Sequence, residues 1–141
     1  MKLKEFRLTS GRLVVTDHDV NTSPQYALKL LFVCSRNRMR SLTAERVFKD
    51  IPGIQARSAG TQPDARVVVT EGHLGWADMI FFMERSHLNR VQRRFREALA
   101  GKPTIVLRLA DEYEFMQPEL IAALRERVTP HLSQYLGTEE A

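Results

Sequence analysis

The sequence predicts an α/β domain in which a four-stranded parallel sheet is covered by helices on both faces. Two observations predict this fold. After residue 28, strand-like runs alternate with helical patterns, and most of the strand runs are rich in apolar residues. In this architecture ligands bind at the carboxyl ends of the strands. The length of 141 residues, with 43% apolar and 27% charged residues, suits one globular domain.

The elements follow from hydrophobic patterning and turn residues. Strands are expected at residues 29–34, 54–58, 78–83 and 104–107, and helices at residues 41–50, within 64–75, at 86–99 and at 117–136. The last helix begins around Pro118 and contains Pro130, which is expected to kink or divide it.

Residues 1–28 lie outside this alternation, so the domain is expected to span residues 29–137. Residues 12–16 favour a short strand, and residues 17–24 are polar and turn-like. We interpret residues 1–28 as an appended segment that packs on an edge or stays mobile.

A loop suited to phosphate binding follows the strand at 29–34. Cys34, the only cysteine, ends an apolar run, and Arg40 lies six positions later. The strand delivers the sulfur to the carboxyl edge of the sheet, and the next residues can curl so that their N–H groups converge on one anion. We therefore expect phosphate to be bound by Ser35, Arg36, Asn37, Arg38, Met39, Arg40 and Ser41.

The residue types in this loop suit a covalent phosphate transfer. Only a thiolate attacks well, and inward N–H dipoles, a following helix N-terminus and a nearby arginine all stabilise it. Arg40 can grip two phosphoryl oxygens with its planar guanidinium, which lysine cannot reproduce. Ser41 is expected to stabilise the sulfur of Cys34, first as attacking group and later as leaving group. Cys34 alone would more often be a packing residue, and Ser41 could simply cap the next helix.

The segment from Val33 to Glu45 resembles the signature loop of the low-molecular-weight protein tyrosine phosphatases. That family has Cys-x5-Arg-Ser after its first strand, and Asn37, Ala44 and Glu45 also match. Three further segments, at residues 57–61, 77–84 and 104–113, resemble later strand ends of the family in the expected order. The resemblance covers roughly residues 29–136 and implies the fold with its phosphate loop after the first strand.

The resemblance also implies a general acid after the last strand. By the family's pattern, Asp111 protonates the departing oxygen and then activates water against a cysteinyl-phosphate. The family usually has Asp-Pro here, so Glu112 is a departure and a rival candidate, and Gln117 with Pro118 occupies the place of another possible Asp-Pro. Tyr113 corresponds to an aromatic rim of the substrate pocket.

Two other departures from the family bear on function. Many relatives have a second cysteine in the loop, and Met39 takes a position of that kind. Only fifteen residues lie between Thr61 and Ala77, where the best-known relatives have a longer stretch with part of the specificity wall. Phosphate-ester chemistry is therefore better supported than a preference for phosphotyrosine.

Composition limits the partners. The formal charge of +4 comes largely from arginines within residues 85–96, which are best interpreted as a solvated helix face, so nucleic acid is not the expected partner. No apolar stretch reaches the ~18 residues needed to cross a bilayer, and no secretory signal is apparent, so a cytoplasmic location is expected. The four histidines, His18, His73, His87 and His131, lack ligand spacing, and neither a metal nor a cofactor is expected.

Three functions fit these patterns. The first is a phosphate monoester hydrolase, with a phosphorylated protein or a small aryl phosphate as substrate and with Cys34, Arg40 and Asp111 as catalytic residues. The second is an arsenate reductase that uses an external thiol. The third is a module that binds phosphopeptides without turnover. The patterns leave the oligomeric state open.

Overall fold

The computed structural model describes residues 6–9, 12–15 and 27–136. The elements in chain order are β1 (Phe6–Thr9), β2 (Arg12–Val15), β3 (Leu28–Cys34), α1 (Arg40–Phe48), β4 (Ile54–Gly60), α2 (Glu71–Trp76), β5 (Met79–Phe82), α3 (Arg85–Arg94), α4 (Arg96–Leu99), β6 (Thr104–Val106) and α5 (Pro118–Leu136).

Four parallel strands form the main sheet in the order β4-β3-β5-β6, which confirms the predicted fold class. β3 lies in the interior of the sheet, with β4 on one side and β5 on the other. Its last residue, Cys34, pairs in register with Gly60 of β4. The central position of β3 therefore brings the cysteine to the middle of the carboxyl edge.

The sheet buries side chains on both faces, as the apolar runs of β3 and β5 predict. One face, with Phe32 and Phe81, packs against α1 and α5, and the stacked rings of these two residues have centroids 5.3 Å apart. The other face, with Leu31 and Phe82, packs against residues of α2, α3 and α4. These two layers hold the strand ends, and hence the loops that follow them, in fixed relative positions.

The predicted strand at residues 12–16 is present as β2, which pairs with β1 in an antiparallel hairpin. β1 also lies beside α5. The turn-like segment predicted at residues 17–24 lies outside the described residues.

The helices differ from prediction in three places. The helix expected over 86–99 is two helices, because Phe95 leaves the helical region with φ −129° and ψ 49°. α5 continues through Pro130 as one helix, so the expected division does not occur. The short helix expected within 64–75 begins only at Glu71, because Val67 and Val69 hydrogen-bond with Gly60 instead and add a bridge beside β4.

Candidate active site

A cavity of about 320 Å³ opens at the carboxyl end of β3. It brings together residues from the loop after β3, the segment after β4 and the loop after β6. The lining residues are Cys34, Ser35, Arg36, Arg38, Met39, Arg40, Gln62 and Asp111. Six of these eight residues belong to the loop that the sequence predicted to bind phosphate.

Cys34 lies at the base of this cavity with only 3% of its surface exposed. Its Sγ atom is 3.0 Å from the Ser41 hydroxyl, and it accepts the backbone N–H of Asn37 at 3.3 Å. Both contacts place polar groups beside the sulfur. The thiol therefore lies in surroundings suited to a nucleophile rather than in a purely apolar packing site.

Asn37 organises the turn of the loop. Its φ of +59° lies in the left-handed region, which asparagine tolerates better than most residues. Its side-chain Nδ2 donates to the Ser41 oxygen at 2.8 Å. A thiolate at Cys34 has no proton to donate, so in that state the Ser41 hydroxyl donates to the sulfur while its oxygen accepts from Asn37. Asn37 and Ser41 are both fully buried and lie outside the cavity lining, so their contact with the site runs through the sulfur and the loop backbone.

The segment after β4 donates hydrogen bonds to the carbonyl groups of the loop that point outward. The Cys34 and Ser35 carbonyls accept the N–H groups of Thr61 and Gln62, both at 3.0 Å. The Arg36 carbonyl accepts the backbone N–H of Arg66, and the Asn37 carbonyl accepts the Nε of the same arginine. Because C=O and N–H point in opposite directions across a trans peptide, the N–H groups of residues 35–38 point away from this segment. This is the orientation that an anion-binding loop needs.

Arg40 is the first residue of α1 and is only 3% exposed. Its Nη1 donates to the Glu84 carboxylate and, at 2.7 Å, to the Leu109 carbonyl. Its Nη2 is 3.7 Å from the Asp111 carboxylate. The guanidinium is thus held by residues that follow β5 and β6, the two strands on the far side of β3.

Asp111 lines the cavity opposite the loop and is 73% exposed. The neighbouring Glu112 is also exposed and is not among the lining residues. Gln117 lies near the start of α5, where its side chain accepts the backbone N–H of Glu114. Of the acid candidates considered, the structure brings only Asp111 into the cavity with Cys34.

Tyr113 lies outside the loop and outside the cavity lining. It was expected at the rim, but it is half-buried and packs against the core on the face covered by α1 and α5. The cavity lining does not include it. An apolar ring packed on the core keeps its area out of water, which explains its inward position.

A buried histidine, His87, contacts the loop from the side of α3, and no sequence pattern predicted this contact. His87 accepts the backbone N–H of Glu84 with Nδ1, so its Nε2 carries the proton and donates to the Ser35 hydroxyl at 3.0 Å. The pKa of His87 is lowered from its ordinary 6.5 to about 4, mainly by burial and secondly by the positive charge of Arg40. His87 is therefore neutral at physiological pH.

Glu84, Gln62 and Arg66 are the other site residues that sequence reasoning did not assign. A signal for Glu84 existed, since it is a polar residue at the carboxyl end of a strand, as Cys34 and Asp111 are. Gln62 and Arg66 lie in an irregular segment whose path follows from its contacts with the loop, and no local pattern predicts it.

Among the described residues, no group of three or more His, Cys, Asp or Glu side chains could hold a metal ion. No helix within the described ranges is long and apolar enough to cross a membrane.

Comparison with known proteins identifies the fold. No protein-family model matches the sequence, and no curated protein matches it significantly. Among solved structures, the YwlE arginine phosphatase from Geobacillus stearothermophilus matches with a TM-score of 0.61 and 21% identity, over 81% of this chain and 99% of that one. The tyrosine phosphatase amsI of Erwinia amylovora matches with a TM-score of 0.62 and 19% identity, over 79% of this chain and 94% of that one. A low molecular weight protein tyrosine phosphatase from Streptococcus pyogenes matches with a TM-score of 0.60 and 18% identity, over 76% of this chain and 92% of that one.

Proposed function

We propose that this chain, which has the fold of the low-molecular-weight protein tyrosine phosphatases, is a cysteine-dependent hydrolase of phosphate monoesters. One observation carries the proposal: the Cys34 sulfur, contacted by Ser41 and Asn37, lies at the base of a cavity that Arg40 and Asp111 also line. A nucleophile, a cationic phosphate ligand and a proton donor are thus found around one space.

In the first half-reaction the Cys34 thiolate attacks phosphorus and forms the P–S bond while the P–O bond to the leaving group breaks. Asp111, as the carboxylic acid, gives its proton to the departing oxygen. In the second, the Asp111 carboxylate takes a proton from water, the water oxygen attacks phosphorus, and the P–S bond breaks to return the thiolate. The exposure of Asp111 gives bulk water direct access to this step.

Arg40 binds the phosphoryl group and balances its charge. Its Nη1 is occupied by Glu84 and the Leu109 carbonyl, whereas within the described residues neither Nε nor Nη2 has a hydrogen-bond acceptor. These two nitrogens form the parallel edge of the guanidinium that can contact two phosphoryl oxygens at once. The same contact stabilises charge that spreads onto those oxygens in the transition state.

The substrate we propose is a phosphorylated protein, with phosphotyrosine as the residue removed. Solved structures of the same fold include both tyrosine phosphatases and an arginine phosphatase, so phosphoarginine is the competing substrate. A thiol nucleophile with no second cysteine in the chain needs a reducing environment, which favours the cytoplasm.

The test is turnover of a small aryl phosphate, followed by phosphotyrosine and phosphoarginine peptides. We expect Cys34→Ser to lower kcat by at least about 10⁴-fold. Asp111→Asn should lower it by about 10²- to 10⁴-fold, because the leaving oxygen loses its proton donor. A chelator should leave the rate unchanged, since sulfur supplies the nucleophile and Arg40 the positive charge.

Glu112→Gln is the matched control, because Glu112 is adjacent in sequence, equally acidic and outside the cavity lining. It should retain wild-type turnover. Tight phosphopeptide binding without turnover would contradict the hydrolase and identify a binding module. Thiol-dependent reduction of arsenate without phosphatase activity would identify a reductase.

A further inference from the structure

A second cavity, of about 280 Å³, lies on the other side of the segment that follows β4. We call it the arginine cleft. Its lining combines three arginines of α3 with apolar residues and the segment after β4: Thr61, Pro63, Val69, Arg90, Val91, Arg93, Arg94 and Phe95. The catalytic steps above use none of these residues.

The cleft has a positive wall and an apolar floor. Arg90, Arg93 and Arg94 are exposed and lie three and four positions apart, so they share one side of α3. Within the described residues, no carboxylate forms an ion pair with any of the three. Val69 and Val91 are buried beneath them. Positive charge therefore converges over a small apolar surface without an internal counter-charge.

The arginine cleft and the active-site cavity share a wall. Gln62 lines the active-site cavity, whereas its neighbours Thr61 and Pro63 line the arginine cleft. The Cα atoms of residues 61 and 63 can be at most about 7 Å apart, so the wall is only a few residues wide. A polypeptide held at Cys34 can cross this wall within about two to four residues, since an extended chain advances ~3.3 Å per residue.

We propose that the arginine cleft binds a glutamate or aspartate side chain of the protein substrate, about two to four residues from the phosphorylated residue. This inference rests on the proposed phosphatase function and assigns a specificity site to it. Guanidinium groups pair with carboxylates through two parallel hydrogen bonds, and the valine floor accommodates the methylene groups of the acidic side chain. The single aromatic lining residue, Phe95, already has the Arg94 guanidinium 5.2 Å from its ring, which leaves no series of rings for stacking nucleic-acid bases.

The experiment compares two phosphotyrosine peptides that differ only in whether the residues about two to four positions from phosphotyrosine, on either side, are glutamate or glutamine. The wild type should hydrolyse the glutamate peptide with kcat/KM about 3- to 10-fold higher, as expected for one or two partly exposed charge pairs. In Arg90→Gln/Arg93→Gln this ratio should fall to about 1. The ratio in the wild type should also fall at high salt, because the pairs are screened.

A second double variant controls for net charge. Lys49→Gln/Arg125→Gln removes the same charge from exposed positions at the C-terminal end of α1 and on α5, two helices that cover the opposite face of the sheet. It should retain the wild-type ratio. Equal loss in both double variants, or equal hydrolysis of the two peptides by the wild type, would overturn the proposal. So would an oligonucleotide that binds in an Arg90- and Arg93-dependent manner while the peptide ratio stays at 1.

The small aryl phosphate separates this inference from the function on which it rests. Such a substrate cannot reach the arginine cleft, so Arg90→Gln/Arg93→Gln should hydrolyse it at the wild-type rate. If the wild type hydrolyses neither the aryl phosphate nor a peptide, the phosphatase function has failed. In that case the arginine cleft is tested by binding: the ratio of the affinities for the glutamate and glutamine peptides is measured for the wild type and for both double variants.

Discussion

At the scale of single residues, the contact between Ser35 and His87 joins the loop after β3, which is the proposed phosphate loop, to α3. His87 receives the backbone N–H of Glu84, and the Glu84 carboxylate in turn holds Arg40. One end of the loop is thereby tied to the other through α3. The link requires neutral His87, because a protonated ring could not accept the Glu84 N–H.

This link predicts a pH dependence of stability. In the unfolded chain His87 takes up a proton near its ordinary pKa of 6.5, whereas in the folded protein its pKa is about 4. Above pH 6.5 both states are neutral and the residue adds no pH dependence. Between pH 6.5 and 4 only the unfolded state binds the proton, so the free energy of unfolding should decrease by at most about 3 kcal/mol as pH falls.

Urea denaturation of wild type and His87→Gln across pH 4 to 7 measures this contribution. The difference between the two proteins isolates His87, because all other groups titrate in both. The wild-type unfolding free energy should fall more steeply than that of the variant as the pH drops below 6.5. Parallel curves throughout this range would contradict the assignment.

At the scale of elements, the close approach of β4 to the loop depends on a glycine. A Cβ atom built on Gly60 would lie 2.5 Å from the Ser35 carbonyl oxygen and 2.7 Å from the Ala65 Cβ. Both obstacles are fixed, since one is backbone and the other is the first atom of a side chain. The end of β4 can therefore support the loop only without a side chain at this position.

Gly60→Ala should destabilise the protein by about 1–3 kcal/mol, because the Ser35 backbone must shift to make room. Turnover should fall as well, since the shifted peptide belongs to the phosphate loop. Gly75→Ala is the matched control: it is a helical glycine whose added Cβ meets nothing within 4 Å. That variant should be neutral or up to about 1 kcal/mol more stable. Thermal unfolding and aryl phosphate turnover of the two variants would decide the matter.

The strands and the loop after β3 could be predicted because their signals are local. Apolar runs identify β3 and β5, and the spacing from Cys34 to Arg40 identifies the loop. The break at Phe95 could not be predicted, since the apolar stripe continues through it and the change lies in the backbone angles. The core packing of Tyr113 could not be predicted either, because spacing after a strand fixes a loop position but not whether the side chain faces the cavity or the core.

At the scale of the whole molecule, the chain contains one thiol. Cys34 therefore has no partner with which to form an intramolecular disulfide. A second thiol close to the nucleophile could trap the sulfenic acid as a disulfide and so prevent further oxidation. Here the sulfur must proceed to higher oxides or react with a thiol of another molecule.

Prolonged peroxide treatment should therefore inactivate the protein in a way that dithiothreitol does not fully reverse. Intact mass should show sulfinic or sulfonic acid on Cys34, or a disulfide between two chains. Phosphate, bound over the sulfur, should slow the inactivation. Complete recovery of activity by dithiothreitol, with no higher oxide in the intact mass, would contradict this expectation.

The hydrogen bonds that hold the Arg40 guanidinium have a thermodynamic consequence for ligand binding. Long cationic side chains ordinarily lose rotamer freedom when they close on an anion, and this ordering lowers affinity. Here Glu84 and the Leu109 carbonyl immobilise the guanidinium as the protein folds. In the proposed function the phosphoryl group therefore meets a rigid, preorganised guanidinium, and little conformational entropy remains to be lost when it binds.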